Sequence, residues 1–95
     1  MDERLIKRWE VTAQLLQSAA SELASPMHQR EFARYLKHNE LELALDVLEA
    51  GAAEQQVSGE FWWHMKKAAE VMGLSERRKV FQVKMQSFKR GHGLK

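Results

Sequence analysis

An all-α fold, a single-domain antiparallel bundle of about five helices, is predicted by three features of the 95-residue sequence. Apolar residues recur at spacings of three and four, the period of a helix that buries one face. Helix caps and stops punctuate the chain at short intervals. One proline, and no run rich in Val, Ile, Thr and Tyr, leave no competing strand signal.

Asp2 is expected to cap a first helix whose apolar stripe runs Leu5, Ile6, Trp9, Ala13, Leu16, Ala20 and Leu23. Ser25–Pro26 is an N-cap followed by proline at the first helical position. It opens a second helix with Met27, Phe32, Tyr35 and Leu36, ending near His38. Asn39, with Glu42 three residues on, reads as a capping box for a third helix through Ala50, stopped by Gly51. "EQQVSGE" is a loop, and its Ser58 caps a fourth helix from Gly59 to Met72. Gly73 then stands at C′ with Leu74 as its apolar follower, a Schellman-type stop. Ser75 is expected to cap a fifth helix reaching Phe88, within one domain of residues 1–90 and a frayed tail of residues 91–95. Connections this short join antiparallel neighbours.

Hydrophobic residues at 44% and charged residues at 29% are the balance of a soluble globular chain. Cysteine is absent, which removes disulfides, thiolate chemistry and Cys-ligated zinc. No apolar run approaches the ~20 residues of a membrane span. The start "MDERLIKRWE" is too charged for a signal peptide, so a cytoplasmic location and no membrane partner are expected. His28, His38, His64 and His92 have no metal-ligand spacing, and no glycine-rich phosphate loop or nucleophile elbow occurs. Glu60 and His64, four apart, read as a surface contact. A non-enzyme without metal or cofactor is the expectation.

Charge is segregated. Residues 1–60 carry eleven acids against six bases, and residues 61–95 carry nine bases against two acids. Two readings are open: two faces for two partners, or two halves that attract each other in the fold.

The stretch "FWWHMKK" at residues 61–67 divides on a helical wheel. Phe61, Met65, Ala68 and Met72 share one side, Trp62 flanks it at about 100°, and Trp63 falls at about 200° among Lys66, Lys67 and Glu70. Trp63 with Lys67 is thus a candidate binding anchor, tryptophan being enriched at interface hot spots. The alternative is that another helix covers this face. On the third helix Glu42, Asp46 and Glu49 stand at i, i+4 and i+7, an acidic stripe suited to a basic partner or simply to solvent. The fifth helix offers Arg77, Arg78, Lys79, Lys84, Lys89 and Arg90 as an alternative nucleic-acid-binding set. "AAEVMGLSERRKV" fails as a helix-turn-helix, because Lys79 stands where an apolar residue is needed and Val80 comes one residue late.

"EFARYLKHNELELALDVLE", a polar loop and "FWWHMKKAAEVMGL" together resemble small all-α bacterial immunity proteins, the antidotes of contact-dependent-inhibition and Maf-type toxins. The resemblance covers about residues 31–74. It implies a tight stoichiometric complex that occludes a cognate toxin's active site. Tyr35, Ala44 and Leu48 also sit at spacings similar to a tetratricopeptide helix pair, but a shift of 34 residues sets Arg78 opposite Ala44, so no repeat recurs.

Overall fold

The computed structural model describes residues 3–93, with side chains from Glu3 to Ser87. Five helices follow one another: α1 (Glu3–Ala20), α2 (Pro26–Lys37), α3 (Leu41–Ala52), α4 (Gly59–Met72) and α5 (Ser75–Gly93). The all-α class is as the sequence predicts, and the described residues contain no strand. The cap expected at Asp2 lies outside the described residues.

The central element is α1, which packs against α4, α3 and α2, while α2 pairs with α3 and α5 lies principally on α4. The result is an elongated body of 50 × 28 × 18 Å. Its core holds Leu16, Leu45, Leu48, Phe61, Met65 and Phe81 fully buried, each side chain worth roughly 1.5–3 kcal/mol of burial. Ala19, Ala44, Ala68 and Ala69 are equally buried and let the helix backbones approach.

Three local expectations hold. Ser25 Oγ accepts from the His28 N–H at 3.4 Å with Pro26 in the first turn. Ser58 Oγ accepts from the Phe61 N–H at 3.1 Å. Gly73 adopts φ 76°, with the Leu74 N–H donating to the Ala69 carbonyl and the Gly73 N–H to that of Glu70, the Schellman pair.

Other boundaries differ. Asn39 is not the N-cap of α3. It stands at φ 58°, its N–H donates to Leu36 O and the Glu40 N–H to Tyr35 O, which makes it the left-handed stop of α2. Glu40 then caps α3 with no side-chain hydrogen bond. Gly51 is no stop either: α3 runs on to Ala52, and Gly51 is buried inside it. A Cβ there would lie 2.7 Å from Leu23 Cδ1, so glycine serves close approach. Ser75 is the first residue of α5, not its cap, because Leu74 O already accepts from the Arg78 N–H. The fifth helix continues past Phe88 to Gly93.

The first helix ends at Ala20, and Leu23 enters the core from the connection beyond it. The buried line of α1 takes in Thr12 and Ala19, while Leu5 is exposed and Ala13 only half-buried. Thr12 tolerates burial because its hydroxyl donates to Arg8 O at 2.8 Å. The turn after α1 is held by glutamines: Gln29 Nε2 donates to Ala20 O and Leu23 O, both at 2.7 Å. Gln55 accepts from the Ala24 N–H at 2.8 Å and donates to Glu22 O at 2.9 Å.

Candidate protein-binding surface

The start of α4 is fixed by Ser58, so the rotation of the helix, and with it the fate of each tryptophan, follows from its cap and its apolar side. Phe61 and Met65 face the core. Trp62 lies half-buried beside them, edge-on to Phe61 at 4.9 Å and stacked on Phe81 of α5 at 5.9 Å between ring centroids. The Lys84 ammonium sits 5.1 Å from the Trp62 ring centre. Trp62 therefore joins α4 to α5.

Trp63 is 42% exposed. Its ring meets His64 edge-on at 5.1 Å and carries the Lys67 ammonium at 5.7 Å. Lys66 and Lys67 both reach Glu70, at 3.7 and 4.0 Å. The outer face of α4 is thus Trp63, Lys67 and Glu70 at i, i+4 and i+7, one large rigid apolar surface beside compensated charge.

The acidic stripe of α3 is divided. Glu42 is exposed and rims a cleft of about 330 Å³ with Leu5, Trp9, Asn39 and Met72. Asp46 and Glu49 instead share one guanidinium: Arg77 Nη1 donates to Asp46 Oδ1, and Nη2 to Glu49 Oε1 at 2.6 Å. The fork geometry of arginine suits this two-carboxylate grip. Two residues of the acidic set are therefore brought together with one of the basic set, inside the same molecule.

The remaining basic residues of α5 are also distributed. Arg78 donates to Gln82, Lys79 lies 3.6 Å from Glu76, and Lys84 lies over Trp62. The side chains of Lys89 and Arg90 lie outside the described residues. Among the described residues no group of three or more His, Asp or Glu side chains stands together as a metal would require, and no helix is long and apolar enough to cross a membrane.

The chain matches no protein-family model, no curated protein and no solved structure.

Sequence reasoning missed the roles of Arg77 and of the buried His28, whose Nε2 stands 3.5 Å from Glu54. The opposite charges of the two chain halves were the available signal for Arg77. For His28 the available signal was spacing: it stands four residues before Phe32 and seven before Tyr35, on the side of α2 that is buried.

Proposed function

We propose that the chain is a non-catalytic protein-binding bundle: an immunity protein that works in the cytoplasm and neutralises a cognate toxin by covering its active site. The observation that carries a binding role is Trp63, 42% exposed on an otherwise charged helix face. A tryptophan held by Lys67 and His64 presents a large contact area that costs little entropy to immobilise. The toxin-antidote class rests on the resemblance of residues 31–74 to immunity proteins.

In this reading Trp63 is the anchor and Lys67 and Glu70 frame it. Glu42, exposed on α3, contributes to steering a basic partner. Asp46 and Glu49 act indirectly, by holding α5 through Arg77. The nucleic-acid alternative draws less from the geometry, since Arg77 is committed to two carboxylates.

The test begins with the adjacent upstream gene, which should encode a secreted toxin. Trp63→Ala should then weaken the complex with that toxin at least tenfold while leaving the melting temperature within about a degree. An upstream metabolic operon, or a Trp63→Ala protein that binds normally, removes the reading. A low-salt gel shift with DNA and RNA should show no retardation; salt-sensitive retardation would favour the nucleic-acid alternative.

A further inference from the structure

A second surface lies on α5, independent of Trp63. The helix turns Phe81 toward α4, and its opposite side faces solvent. There Val80 is 47% and Val83 60% exposed. They form a shallow apolar hollow of about 380 Å³ whose other walls are Lys79 and Lys84. With Phe81 at zero on the wheel, Lys79 falls at about 160°, Val83 at about 200°, Val80 at about 260° and Lys84 at about 300°. The valines thus make a stripe with a lysine along each edge.

We propose that this face docks an acidic amphipathic helix of a protein partner, Val80 and Val83 receiving its apolar ridge and Lys79 and Lys84 its flanking carboxylates. Valines three residues apart match the side-chain rows of a helix laid into a groove. Charge selects the occupant. Residues 61–95 hold nine bases and two acids. Arg77 is already engaged by Asp46 and Glu49, which leaves Lys79 and Lys84 at the hollow. Lys79 meets Glu76 at 3.6 Å and Lys84 lies over the Trp62 ring at 5.1 Å, but both lysines are exposed, and surface contacts of these kinds yield readily to a partner's carboxylate.

A second copy of this chain fits poorly. Pairing two α5 helices through the valine stripe, in either direction, sets lysine edges against lysine edges, and like charges across a seam repel. A nucleic-acid backbone would use the lysines but find no role for two exposed valines at the centre.

The experiment uses the full chain, isotopically labelled, titrated with a synthetic amphipathic helical peptide carrying leucines on one face and glutamates along both edges. Shifts should appear first at the Val80 and Val83 methyls and the Lys79 and Lys84 amides. Affinity should exceed that for a scrambled peptide of equal composition at least tenfold, and fall as salt rises. Val80→Ser/Val83→Ser should lose this difference with an unchanged circular-dichroism spectrum. Equal binding of the scrambled peptide, shifts centred elsewhere, tighter binding of a single-stranded oligonucleotide through these residues, or concentration-dependent self-association through the valines would each overturn the proposal.

Discussion

Ser58 donates twice to the carboxylate of Glu22, 36 residues earlier: its backbone N–H to Oε1 at 2.9 Å and its hydroxyl to Oε2 at 2.5 Å. The same hydroxyl oxygen accepts from the Phe61 N–H at 3.1 Å. One serine thereby caps α4 and ties its start to the turn that follows α1, the helix against which α4 packs. Ser58→Ala removes a cap worth about 1 kcal/mol and a hydrogen bond to a charged group worth about 1.5 kcal/mol. Urea unfolding should show a loss of about 2.5 kcal/mol. Ser25→Ala, whose cap bond is 3.4 Å long and stands alone, should cost about 0.5 kcal/mol.

Arg77 clamps α5 to α3. Its side chain is 23% exposed, and those of Asp46 and Glu49 are 53% and 37% exposed, so solvent screening keeps the grip modest. Arg77→Ala should destabilise by about 1 kcal/mol. A double-mutant cycle with Asp46→Asn/Glu49→Gln should recover about half of that as coupling, shrinking in 1 M NaCl. Additive losses would mean that the clamp contributes nothing to stability.

Gly51→Ala pits two effects against each other. Alanine favours a helix interior over glycine by about 1 kcal/mol. Here its Cβ would press on the buried Leu23 at 2.7 Å, and overpacking of this kind costs about 1–3 kcal/mol. The net change should be a loss of about 1 kcal/mol in the native background. With Leu23→Ala already in place the same substitution should become stabilising, and this reversal of sign is the measurement that matters.

Asn39 at φ 58° should accept glycine without loss, and Asn39→Gly should gain a few tenths of a kcal/mol, whereas Asn39→Ala should lose about 1 kcal/mol. Glu40, which caps α3 without a side-chain bond, should be improved by Glu40→Ser by about 0.5–1 kcal/mol. Thermal melts distinguish this arrangement from an Asn39 N-cap, for which Asn39→Gly would be the losing change.

What was legible in the sequence was what is decided locally. Ser25–Pro26, Ser58 and Gly73 signal through neighbours within one turn, and the division of Trp62 from Trp63 needs only the helical period. Asn39 misled because asparagine favours both an N-cap and a left-handed stop, and Glu42 completed a capping-box pattern by spacing alone. Gly51 misled in the same manner: a helix stop and a close approach both call for glycine, and Leu23 alone decides which. The Arg77 clamp joins residues 28 and 31 apart in the chain, beyond any local pattern. The acidic stripe was therefore visible while its intramolecular use was not.

The placement of α5 on one flank of the bundle has a dynamic consequence. It is secured by Phe81, by the stack with Trp62 and by the Arg77 clamp, whereas α1 is enclosed by three other helices. A segment so attached detaches in a partial opening of lower free energy than global unfolding. Amide protons of α5 will exchange before those of α1 and α4, and a ligand on its outer side will slow that exchange selectively. The helix that carries the valine stripe thus reports its own occupancy through the protection of its backbone.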